Sequence, residues 1–272
     1  MSEIAEWTAL ARQILKTGHD IFATANVPIT AKGYNDEKFL AMALLARTMS
    51  NFRGALLLLE HRRVIEGRVI TRCCLENSYW IAGLVAEGEK FTREMLHDEI
   101  GHRQIRGQRL FASGLPLGDK VEERLRAWLK NISKRFKNAK TLTPKTVALK
   151  TAIGKSYIFY EQLSSDAAHP SLDALNRHVI PHTPNEVGGI DVEPVPRDEE
   201  TTETLEYLCM AVMGVCVGVN EILGGTQGGD SLNALADRYS GLDSRRAELP
   251  QTRCPTEVHV GERWPYTLKL TW

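Results

Sequence analysis

From Leu208 to Val219 the chain reads LCMAVMGVCVGV, twelve residues that would give a helix an apolar surface nearly all the way round. Such a helix has no face to offer water, so other elements must enclose it. Twelve residues also fall well short of the roughly 20 needed to cross a bilayer. The stretch therefore predicts a central bundle helix, running from about Asp198 to Leu223, and Cys209 and Cys216 within it are expected as core residues.

The rest of the chain offers helices to surround it. Ile4, Trp7, Ala11, Ile14, Leu15, Gly18, Ile21 and Phe22 recur at three- and four-residue steps and form one stripe, which Asn26-Val-Pro28 ends. A second helix is expected from Asn35 or Asp36, a third through RVITRCCLENSYWIAGLVAEG, a fourth through KFTREMLHDEIGHRQIRGQRLFA, and a fifth in the basic segment after Pro116. Thr143-Pro144 supplies a cap and a first-turn proline and should open a sixth helix that runs to His169-Pro170. Residues 181–197, with four prolines and two adjacent glycines, read as a long loop, and a short helix is expected near Ser231 to Tyr239. The expected fold is all-α: a single bundle of about seven to nine helices over 1–240. An irregular tail follows over 241–272, where VHVGERWPYTLKLTW alternates like one short strand.

Formal net charge is zero, which argues against uniform coating of nucleic acid or an anionic membrane. Locally the balance breaks: 120–150 holds ten Lys or Arg against two Glu, and 185–207 holds eight acids against Arg197 alone. These stretches can recruit partners or neutralise each other. Five cysteines without CxxC spacing do not suggest a disulfide framework, and the acidic MSEIAEW start lacks the pattern of a secretion signal. Those absences make the cytoplasm of a bacterium-like cell the expected location, with no membrane partner.

Three groups of residues could carry chemistry. Glu94-x2-His97 and Glu99-x2-His102 resemble metal-ligand pairs, but they share one helix and are about 140° apart around its axis, so they read as an ion-paired surface and no metal or cofactor is expected. On the third helix Arg68, Arg72, Glu76 and Tyr79 share one side. That side is either a solvent face or an arginine fixed by Glu76 and aimed at an anion. The third group is YEQLSSDAAHPSL, residues 160–172, in which Tyr160, Ser164, Asp166 and Ser171 surround His169 near a helix end. Such a histidine is a reasonable acid or base, and the same polar groups can simply satisfy loose helix carbonyls.

Arg72-x3-Glu76 followed far downstream by Tyr160-x3-Ser164 and His169-Pro170-Ser171 resembles an uncharacterised bacterial helical family over roughly 36–225. That family is in turn distantly similar to the HEPN helical superfamily, whose nucleolytic members pair an arginine with a histidine and meet as dimers to cleave RNA without metal. The resemblance implies a dimeric protein that acts on or binds RNA in a defence or toxin-antitoxin-like setting. His169 would be the acid or base, Arg72 held by Glu76 the phosphate ligand, and Ser164 and Asp166 the groups that orient the histidine. Tyr160, Ser171, Arg68, Arg124, Lys130, Lys134 and Lys137 would contact the substrate. The window ending at His169 starts with Ser164 and not with arginine; a literal Arg-x4-His occurs at Arg177 to His182, interrupted by Pro181. The other reading is a non-enzymatic protein-interaction module of such a system, partnered from the same operon, with the polar cluster as internal structure.

Overall fold

A computed structural model describes residues 2–136, 141–225 and 228–248, apart from a few side chains that include that of Asp166. Lys137, Cys254 and the strand expected in the tail lie outside the described residues. The chain is helical, with ten α-helices among those residues: α1 (Glu3–Thr24), α2 (Glu37–Glu60), α3 (Val64–Glu87), α4 (Glu89–Ala112), α5 (Asp119–Arg135), α6 (Pro144–Ala148), α7 (Tyr157–Leu163), α8 (Leu172–Asn176), α9 (Asp198–Ile222) and α10 (Gly229–Glu248). Among the described residues the strands form one hairpin, in which β1 (Val179–Ile180), just before the segment expected as loop, pairs antiparallel with β2 (Gly189–Ile190) inside it.

Local chemistry starts several helices where the sequence signals them. Asp36 caps α2 by accepting from the Lys38 and Phe39 amides at 3.0 and 3.3 Å. Thr143 and Thr146 form a reciprocal capping box around Pro144 at the head of α6. The turn between α2 and α3 is a Schellman ending: the Arg63 amide reaches the Leu58 carbonyl and the Arg62 amide reaches that of Leu59. The left-handed position of that turn is held by Arg62 at φ +62°, where glycine is usual.

α9 is the centre of the bundle, packed by α3, α2, α1 and α10. Its composition and length would suit a membrane span, with a window of mean hydropathy 1.5, yet 61% of that window is buried inside the bundle. Cys209, Val212, Val215, Cys216 and Val219 are fully enclosed. Contact between α9 and α3 is close because of Gly218, where a Cβ would overlap the Ile81 side chain. α4 and α5 form a separate hairpin: α5 packs on α4 through Leu129 against Gly107, and none of its described residues is buried.

The expected sixth helix is broken. α6 stops at Ala148, the chain turns back through Gly154, where a Cβ would lie 3.1 Å from the Ala148 carbonyl oxygen, and α7 restarts at Tyr157. Beyond α7 the backbone widens into a π-helical turn, Ser164–Ala168. α10 is also longer than the short helix expected, because Leu232, Leu235 and Leu242 give it an apolar stripe buried in the bundle.

Candidate functional site

The polar side of α3 is not a solvent face, because α6, α7 and the π turn lie against that helix. Tyr79 is fully buried and donates from its hydroxyl to the Ser156 carbonyl at 3.2 Å. The rings of Tyr157 and Tyr160 stack with centroids 5.4 Å apart, and Tyr79 meets each of them at 6.4 and 6.2 Å. Arg72 sets its guanidinium 5.2 Å from the centre of the Tyr160 ring and 3.5 Å from Glu76. The Tyr160 hydroxyl donates to the same Glu76 oxygen at 2.8 Å. The three side chains therefore hold one another, and the buried Nε of Arg72 has no hydrogen-bond acceptor among the described residues.

Burial, reinforced by the neighbouring Glu76 carboxylate, pushes the Tyr160 phenol up to about 12 from an ordinary 10.0. The native state thus holds that proton more tightly than the unfolded chain does. The resulting stabilisation is complete below pH 10 and is lost as pH rises from 10 through 12. Following tyrosinate absorbance through that range should show a late-ionising class, and Tyr160→Phe should remove one member of it. An unchanged titration in the variant would place the hydroxyl in water and contradict the bond to Glu76.

Arg68 has a different environment from the one expected of a substrate contact. It is 4% exposed, donates from Nε to Thr204 at 3.1 Å and from Nη2 to Glu203 at 2.5 Å, both on α9. Glu203 in turn accepts from Gln162 and Tyr207 at 3.0 and 3.2 Å. Arg68 is buried in a helix-to-helix ion pair, which removes its head group from solvent. Gln162, Glu203 and Tyr207 went unremarked in the sequence because only the fold brings α7 to α9.

His169 follows the π turn with extended backbone, φ −125° and ψ 144°, as expected before Pro170. Its ring is exposed and makes no hydrogen bond to the described residues. The two serines expected beside it face backbone instead. The Ser164 hydroxyl donates to the Tyr160 carbonyl at 2.7 Å. That of Ser171 donates to the Ser165 carbonyl at 2.7 Å and accepts from the Ala174 amide at 3.1 Å, capping α8. Such back-bonding in and around the π turn suits a helix that is bending out of register. Asp166 lies in the turn by its backbone. Cys73, beside Arg72 in sequence, is not an activated nucleophile: burial, then Glu76, pushes its thiol up and keeps it protonated.

The other sequence candidates are dispersed. Arg124, Lys130 and Lys134 are exposed on α5, which packs on α4 and not on α7 or the π turn. Arg177 and His182 do not share a helical turn, because β1 intervenes; Arg177 lies 3.4 Å from Glu200. In α4, Glu99 pairs with Arg103, Glu94 with Lys150, and His102 contacts Asp98 at 3.2 Å, as a surface ion-pair row. Among the described residues no group of three or more His, Cys, Asp or Glu could hold a metal ion. Four of the eight acids in the acidic segment are paired from within the chain, by Arg62 on Asp198, Arg63 on Glu193, Arg68 on Glu203 and Arg177 on Glu200.

Residues 38–187, from α2 through the hairpin turn, match the model of a family of unknown function, DUF5677. The chain belongs to that family. The matched region contains Arg72, Glu76, Tyr160, the π turn and His169, whereas the central helix α9 lies beyond it. No curated protein and no solved structure matches the chain.

Proposed function

We propose that this DUF5677 protein binds RNA, as a HEPN-like helical protein, and acts on it through Arg72 and His169. The observation that supports this reading is the state of Arg72: its guanidinium is pinned by Glu76 and Tyr160, and its buried Nε has no acceptor among the described residues. A planar fork held in place, on a side chain still 24% exposed, suits a phosphodiester. α3 also packs against the π turn that leads into His169, an exposed imidazole with no competing hydrogen bond among the described residues. An imidazole so placed could move the proton of a 2′-hydroxyl. Exposed Arg124, Lys130 and Lys134 would attract the backbone from α5, so affinity should fall steeply with salt.

One specific observation favours the second reading, a protein-interaction module of a defence or toxin-antitoxin-like system. Val187, Ile190, Val192 and Val195 are 72–88% exposed around one hairpin, more apolar surface than an isolated loop needs. Incubating end-labelled RNA with the purified chain, with and without EDTA, separates the two. Cleavage that survives EDTA and disappears in His169→Ala and Arg72→Ala supports the RNA reading. If RNA is neither cut nor bound, and both variants fold normally, the interaction module stands instead.

A further inference from the structure

A second set of residues, outside the Arg72 cluster, lines an open cleft of about 400 Å³ between the α2–α3 turn and residues 192–196. That volume lies within the usual range for small-molecule sites. The cleft's cations are Arg62, Arg63 and Arg177, and they outnumber the two carboxylates in the lining, Glu66 and Glu193, the second of which Arg63 already pairs. Apart from Glu193, the lining residues of segment 192–196 are apolar: Val192, Pro194, Val195 and Pro196. The first turn of α3 forms part of the wall, and no side chain caps that helix start.

Three features make the cationic groups receptive. Arg62 and Arg63 use only three of their N–H donors, on Asp198 at 2.6 Å, the Pro196 carbonyl at 2.7 Å and Glu193 at 3.1 Å. Their other donors have no acceptor among the described residues, and a guanidinium carries five. The ion pairs they do make are open to water, with Arg62 and Asp198 exposed by 46% and 72% and Arg63 and Glu193 by 53% and 70%. Such pairs hold little free energy, so an incoming dianion meets a small barrier to sharing them. Finally, Arg62 occupies a left-handed backbone position that disfavours every residue with a side chain. A non-glycine backbone held in such a position is the kind of local strain that clusters at ligand clamps.

Two histidines complete the cleft. The Nδ1 atoms of His61 and His178 each lie 2.8 Å from a backbone carbonyl oxygen, those of Leu57 and Asp191. A carbonyl only accepts, so Nδ1 carries the proton in each ring, and the neutral ring keeps Nε2 as an acceptor for a ligand hydroxyl. Val192 and Val195, 84% and 82% exposed, offer apolar surface that a flat ligand body would cover.

We infer that this cleft binds a phosphate monoester carried on a planar, hydroxyl-bearing body, of the size of a nucleoside monophosphate. The phosphate lies against Arg62, Arg63 and the first turn of α3, its hydroxyls face the imidazoles, and its base rests on the Val192–Pro196 strap. The inference does not depend on the RNA reading.

Isothermal titration calorimetry of the full chain at low salt with adenosine 5′-monophosphate, and separately with inorganic phosphate, tests it. The expected result is saturable 1:1 binding of the nucleotide, with inorganic phosphate at least about tenfold weaker. Arg62→Gly, which accepts the left-handed backbone, and Arg63→Ala, at an exposed position, should each weaken nucleotide binding about tenfold or more, the size of one lost charge-assisted contact. Both variants should melt like the parent. Absence of nucleotide binding, equal affinity for inorganic phosphate, or unchanged affinity in both variants would overturn the inference.

Discussion

Arg68→Ala should lose about 3–5 kcal/mol of folding stability, a large part of the 5–15 kcal/mol that a domain typically has. The reason lies in what is left behind. Glu203 faces Arg68 with its side chain 21% exposed, and it also receives Gln162 and Tyr207. Without the guanidinium, a mostly buried carboxylate keeps only neutral donors, and the Thr204 hydroxyl loses the bond it accepts while still donating to the Glu200 carbonyl at 2.6 Å. The ion pair need not be strongly stabilising as a whole, since desolvating both charges consumes most of their attraction. A double replacement, Arg68→Met with Glu203→Gln, should therefore recover much of the loss, with the amide still able to meet Gln162 and Tyr207. Urea unfolding of the three chains decides the matter. A loss under about 1 kcal/mol in Arg68→Ala would mean that the pair is hydrated and does not link α3 to α9 in the manner described.

A comparable loss is expected at the other side of the bundle. Trp7 is fully enclosed between α1 and its neighbours, edge-on to Tyr239 of α10 with centroids 5.2 Å apart. Trp7→Ala should cost about 3–5 kcal/mol through lost burial and the cavity left behind. Its indole N–H has no acceptor among the described residues, and an unsatisfied buried donor costs about 1–3 kcal/mol. Trp7→Phe removes that donor while keeping a ring against Tyr239, so it should lie much nearer the parent than the alanine variant does. Thermal melts of the pair give the answer. Equal losses in both would show that the indole nitrogen is hydrogen bonded in solution and contributes to holding α1 in place.

What could be read from the sequence was mostly what neighbouring residues determine among themselves. Asp36 and Thr143-Pro144 mark helix starts because a cap acts on amides two or three positions away. The stretch from Leu208 to Val219 implies its own enclosure because no face of it is polar. The break after Ala148 was not legible, since it depends on Gly154 folding back on a carbonyl. The polar side of α3 was ambiguous for a related reason. Spacing puts Arg68, Arg72, Glu76 and Tyr79 on one side, but only the arrival of α7 and α9 decides that Arg68 is buried and Arg72 half-buried. The acidic segment likewise finds its arginines up to 136 positions away, beyond the reach of any pattern in a window. At the candidate site, the association of Arg72 with Glu76 and the placement of His169 at a helix end could be anticipated, while the backbone bonds of Ser164 and Ser171 could not.

The α4–α5 hairpin gives the molecule two cooperative units of unequal depth. Amides in the buried middle of α9, packed by four other helices, should exchange with solvent only when the whole bundle opens. Those of α5 rest on a helix with few enclosed side chains and are released by a smaller, sub-global opening. Trp128 on α5 and Trp7 in the bundle, two of the chain's five tryptophans, therefore report different events, so emission from the intact chain mixes a shallow transition with a deep one.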